Sequence, residues 1–171
     1  MKAPLILGLG ITFFLFVPLG IYTNIFPFVT IGLTGAGLSF ILYSLKIKND
    51  WKGFNRMQKL PFIGSSVVWI YRLGILGLGA VALYSASSFW ADSPAYIKKN
   101  YAKIEGIPSK IVYEKAPSMG QIEGTITVII NNKRLSIAPN PRYPIKNNVE
   151  GRHFLINYLP NTEWVMDYTI K

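Results

Sequence analysis

The chain has 171 residues, half of them hydrophobic, and carries a formal net charge of +10 with no cysteine and one histidine. The missing cysteines exclude a disulfide framework, a cysteine-based zinc cluster and a thiol nucleophile, and the single histidine excludes a multi-histidine metal centre. Such basicity invites a nucleic-acid reading, so the placement of the charges decides what it means.

Residues 3–45 contain no Lys, Arg, His, Asp or Glu. A hydrocarbon core of about 30 Å takes roughly 20 apolar residues of helix at about 1.5 Å each, so this run predicts two crossings. The break falls between Tyr22 and Pro27, where Asn24 is expected to cap the second helix and Pro27 fits a first turn that has no use for an amide donor. The expected spans are 3–22 and 26–45. A cleaved signal peptide is the competing reading of the first span. Only Lys2 precedes it, no small-x-small cleavage pattern follows, and a second apolar segment begins within a few residues, so the helix is read as retained.

A basic loop comes next, with Lys46, Lys48, Lys52, Arg56 and Lys59. Short loops rich in Lys and Arg face the cytoplasm, which predicts a cytoplasmic amino terminus and an extracytoplasmic carboxy-terminal part. Lys98, Lys99 and Lys103 argue the other way but are outnumbered. Residues 60–90 form a third apolar stretch broken by one charge, Arg72. An arginine at the bilayer centre would cost about 2.5 to 3.5 kcal/mol on insertion scales, so Arg72 is expected to snorkel to the inner headgroups. Residues 73–90 are then the third span and 60–72 an interfacial segment. Trp51 and Trp69 are expected at the inner interface with Arg72, and Trp90 at the outer one.

Small residues four apart, Gly32 with Ala36, Gly35 with Ser39 and Ala82 with Ala86, predict close helix contacts. Bundling within the chain is the simpler use of these faces; self-association or docking on another membrane subunit is the sharper one. Gly74, Gly77 and Gly79 lack the strand, the spacing and the downstream acid of a dinucleotide fingerprint.

Residues 91–171 read as strands, because short runs of branched and aromatic residues alternate with Gly, Pro and Asn clusters. Strands are expected near 101–106, 109–114, 122–130, 134–137, 153–158 and 164–169. Asn131-Asn132-Lys133 joins two of them as a hairpin, and Pro160-Asn161-Thr162 joins the last two. Alternation puts Phe154, Ile156 and Tyr158 on one face, and Trp164, Met166 and Tyr168 on another; these are the expected core. The fold class is therefore an α+β membrane protein, with three transmembrane helices (1–90, the membrane domain) followed by a small antiparallel β-barrel or curled sheet of the OB or SH3-like kind (91–171). Residues 138–148 hold three prolines and form a loop, where Asn140, Arg142, Tyr143 and Lys146 are the candidate binding residues.

Seven of the eighteen basic residues lie in the membrane half, where topology and anionic lipid account for them, and residues 91–171 keep a net charge of only +4. The expected partners are therefore the lipid bilayer and a protein in the membrane, and nucleic acid is not expected. No catalytic residue, cofactor or metal ligand is assigned. His153 lacks the neighbouring nucleophile that a general base needs, and the carboxylates on alternating strands read as a solvated face. Without catalytic or nucleotide motifs, the expectation is a non-enzymatic accessory or interaction subunit of a membrane or envelope complex, in a bacterial cell membrane. A transport or secretion component, or a membrane-bound hydrolase using His153, are the alternatives.

Overall fold

The structure, a computed structural model, describes residues 3–47, 64–114, 125–137 and 149–171. Chain contacts divide it into two compact units, Met1–Phe89 and Trp90–Lys171. Three helices are long and apolar enough to cross a membrane: α1 (Ala3–Thr23), α2 (Phe26–Lys46) and α3 (Gly64–Lys98), the last counted from Ser66.

The turn between α1 and α2 is built differently from the expectation. Asn24 does not cap α2; it closes α1 in the left-handed conformation, with φ of 53°. Its amide donates to the Ile21 carbonyl (3.3 Å), and the Ile25 amide reaches back to Gly20 (2.9 Å). That pair of bonds is the Schellman closure, for which asparagine serves because its short polar side chain tolerates positive φ. Ile25 is the N-cap of α2 and offers no side-chain bond; Pro27 sits in the first turn as expected.

Within the first unit the helices pack glycine against bulk. A Cβ at Gly35 would strike the ring of Phe13, and one at Gly10 the ring of Phe40, so α1 and α2 run antiparallel with aromatic rings seated on glycine. On the other side of α2, Gly37 and Gly79 face each other: a Cβ on either would lie 2.9 Å from the other's carbonyl oxygen. At one end of this pairing the Phe26 and Phe89 rings meet at 5.5 Å, and at the other Arg72 donates to the Ile47 carbonyl. Helices α2 and α3 are thus antiparallel from 26 to 47 and from 89 to 72. Helix α3 runs for 35 residues, about 52 Å at helical rise, so residues 64–72 of the expected interfacial segment and the expected span 73–90 lie in one helix. Ala36, Ala82 and Ala86 are buried in this packing, and Gly32 seats Val17 and the Phe13 backbone.

The second unit begins with the last turns of α3, which end in another Schellman closure: Lys99 (φ 54°) bonds to Tyr96 and Asn100 to Ala95. Six strands follow: β1 (Ala102–Gly106), β2 (Lys110–Glu114), β3 (Thr125–Ile130), β4 (Lys133–Ile137), β5 (Phe154–Tyr158) and β6 (Val165–Ile170). Asn131 and Asn132, both at positive φ, form the two-residue turn that matches the twist of a β-hairpin.

The barrel expectation is corrected by the strand order. Two antiparallel three-stranded sheets, β1-β5-β6 and β2-β3-β4, share one core and do not close. Strand β1 lies beside β3 and β4 beside β6, but no hydrogen-bonded ladder joins the sheets among the described residues. Gly106 ends β1 at φ 148°, a conformation that side chains disfavour, and releases the chain into the second sheet over the Ile130 side chain.

Burial alternates along β5 as expected, with Phe154, Ile156 and Tyr158 inward. In β6 the expected face is broken. Asn157 pairs with Asp167 but Tyr158 pairs with Val165, so Met166 is the extra residue of a β-bulge. The bulge shifts the side-chain parity: Val165, Tyr168 and Ile170 pack on the core, in place of Trp164 and Met166 with Tyr168.

The Gly37–Gly79 crossing makes a direct prediction. Gly79→Val should lower the melting temperature of the detergent-solubilised protein, because overpacking costs about 1 to 3 kcal/mol. Gly77→Val, at a glycine with open space around it, should not, and circular dichroism melts of the two variants compare them directly.

Candidate functional site

Two clusters of polar and aromatic groups occupy the described residues, one in each unit. The first gathers where the end of α2 meets α3. The Arg72 guanidinium donates through Nη2 to the Ile47 carbonyl, which follows the last turn of α2, and its carbon lies 5.5 Å from the centre of the Trp69 ring. Beside it the Tyr43 and Tyr71 rings stand edge to face at 6.4 Å with their hydroxyls 3.4 Å apart. Ile6, Tyr43, Ile47 and Val68 form the buried floor. Trp69 and Arg72, expected at one interface, are thus brought together, whereas Trp90 lies further along α3 and is mostly exposed. Trp51 lies outside the described residues.

A helix ends with carbonyls that lack amide partners and carry a partial negative charge, so a guanidinium placed there both fills an acceptor and complements the dipole. Arg72 does this for α2 from another helix. The sequence shows an arginine without an acid nearby; it does not show that a carbonyl 25 residues earlier is the partner.

The second cluster was not expected. Asp92, in the part of α3 beyond the expected span, has no solvent exposure. Its carboxylate accepts bonds from the turn between β5 and β6: the Asn161 amide (3.0 Å) and side-chain Nδ2 (2.7 Å), and the Thr162 amide (2.7 Å) and hydroxyl (2.7 Å). Four donors converging on one carboxylate tie the turn to α3, in addition to its own bonds between Leu159 and both Glu163 and Trp164. Burial alone would raise the Asp92 carboxyl; the bonds from Thr162 and Asn161 outweigh it and leave the group below its ordinary range. The only prior signal was a lone acid near the end of an apolar helix, with no hint of partners 69 and 70 residues away.

Beside the same turn, Lys133 donates to the Tyr158 hydroxyl (3.1 Å), lies 4.2 Å from that ring's centre and pairs with Glu163 at 3.5 Å. Glu163 holds positive φ in the turn, and its amide bonds back to Leu159. Burial pushes the Lys133 ammonium down, but Tyr158 and Glu163 together raise it, so it stays a cation. His153 is exposed, its backbone paired with Lys171 at the sheet end. Asn140, Arg142, Tyr143 and Lys146 lie outside the described residues. No group of three metal-binding side chains occurs among the described residues. These contacts hold turns and helix ends in place.

The Asp92 clasp predicts an acid limit. A carboxyl lowered in the folded state contributes stability that is complete above its unfolded value of about 3.9 and is lost as pH falls through the folded one. The second unit should therefore lose stability below about pH 4, and Asp92→Ala should remove about 3 kcal/mol at neutral pH by leaving buried donors unmet. Tryptophan fluorescence melts between pH 3 and 7 measure both; an Asp92→Ala melt equal to the parent at neutral pH would refute the clasp. Comparison of the chain with protein-family models, curated proteins and solved structures finds no match in any of the three.

Proposed function

We propose that the chain is a membrane-anchored accessory or interaction subunit, whose three-helix unit holds a small β-unit at the outer surface of a bacterial cell membrane for a protein partner. The observation that carries this reading is the match between helix lengths and a bilayer. Helix α2 is 21 residues, about 31 Å, and its contacts with α3 run from Phe89 to Arg72, about 26 Å of helix. A hydrocarbon core is about 30 Å thick. The run of α3 between those contacts has no Lys, Arg, Asp or Glu, and the charges resume at Asp92.

Orientation rests on the charges. Lys46 to Lys59 form the densest basic loop, which favours a cytoplasmic position for the Arg72 end and an outward one for the β-unit. The polar contacts described above support turns and helix ends, as expected of a presenting scaffold rather than a reaction centre. A role within a larger transport or secretion assembly draws support from α3, whose apolar stretch leaves Leu73, Leu78, Val81 and Tyr84 uncovered by the rest of the chain.

Affinity purification of the full chain from membranes in mild detergent, followed by mass spectrometry, tests the reading. It should recover at least one membrane or envelope protein in stoichiometric amount. Recovery of the chain alone under several gentle detergents would contradict the subunit role. A polytopic transporter or secretion protein among the partners would favour the second assignment.

A further inference from the structure

The cation held at the end of α2 is not neutralised by the groups that hold it. Arg72 touches the Ile47 carbonyl and the Trp69 ring, both uncharged. Its Nε is shut off from solvent and has no acceptor among the described residues, so the group has lost part of its hydration. Among the described residues no carboxylate forms an ion pair with it. The α2 terminus offers only about half an elementary negative charge, and Lys46, exposed in the same last turn, adds a further positive one. A partly desolvated cation with no counter-charge among the described residues, at a helix end that also carries Lys46, calls for an anion.

The place and shape of the group narrow the choice. On the membrane reading of the previous section, on which this inference rests, α2 ends where the hydrocarbon gives way to headgroups. The anions concentrated there are lipid phosphates. A guanidinium presents its donors as a planar fork that fits two phosphate oxygens at once, and here the fork is fixed on one side by a carbonyl and on its face by an indole. Such pre-orientation reduces the ordering cost of binding. We infer that Arg72, with Trp69 beneath it and Lys46 in the α2 turn it closes, forms a binding site for the phosphate of an anionic phospholipid headgroup.

The test uses the full-length protein in lipid nanodiscs of phosphatidylcholine alone or with phosphatidylglycerol, at equal ionic strength. Phosphatidylglycerol should raise the melting temperature of the parent and remain bound in native mass spectrometry. Arg72→Gln should abolish both effects, Arg72→Lys should keep only part of them, and Lys110→Gln, in the other unit, should keep them whole. Equal melting and equal lipid retention in the two nanodiscs would overturn the site, as would an undiminished response in Arg72→Gln. If Arg72→Gln does not fold, the parent comparison and Arg72→Lys still decide. Millimolar inorganic phosphate in phosphatidylcholine nanodiscs should have no effect; reproducing the shift with it would assign the site to free phosphate and overturn the lipid. Alkaline carbonate extraction separates the two readings. Release of the protein would refute membrane insertion itself, whereas retention without a phosphatidylglycerol response would refute only this site.

Discussion

The backbone contact between Gly37 and Gly79 is the constraint on which the helical unit depends. A side chain at either position would force α2 and α3 apart, and the contacts toward the two ends would be lost with the approach. With the crossing in place, Phe26 meets Phe89 at one end and the Arg72 guanidinium reaches the Ile47 carbonyl at the other. The remaining face of α2 is taken by α1 through the same device, rings against glycines. On the membrane reading proposed above, dispersion between closely approaching helices is the main attraction available, because lipid is as apolar as the side chains, and small residues at crossings then matter more than large ones.

The β-unit is organised around a different kind of contact. Its core is apolar and shared by two short sheets, and its most specific polar contact is the buried Asp92 carboxylate receiving the β5–β6 turn. A buried charge is tolerated there because each carboxylate oxygen is hydrogen-bonded, Oδ1 by Asn161 and Oδ2 by Thr162 as well. The bulge at Met166 lies a few residues beyond that turn and decides which side of β6 faces the core. Anchored turn and bulge together set a register that strand alternation alone would set differently.

Local patterns made much of this legible. Three apolar stretches of spanning length and six runs of branched residues each correspond to an element, because length and periodicity are carried by the residues themselves. What could not be read depended on partners distant in sequence or on single residues with two uses. Asn24 suits a helix start and a left-handed helix end equally, and only the backbone bonds of Gly20 and Ile21 decide between them. No residue type announces the bulge at Met166, so the inward face of β6 was misassigned. Closure of the sheets depended on ladders forming between strands of the two sheets, such as β4 with β6, which their side chains do not encode. Arg72 stood out as a lone charge in apolar surroundings, whereas Asp92 was one carboxylate among several; the partners of both, Ile47 and the Asn161-Thr162 turn, could not be read.

The central claim is that α3 crosses a bilayer between Arg72 and Trp90 with its two ends on opposite sides. The chain has no cysteine of its own, so single substitutions report cleanly on exposure to a membrane-impermeant maleimide. In intact cells Ile97→Cys should label from outside, Ser66→Cys only after permeabilisation, and Ala80→Cys only after denaturation. Free labelling of Ala80→Cys in the native membrane, or labelling of Ser66→Cys and Ile97→Cys from the same side, would contradict the account.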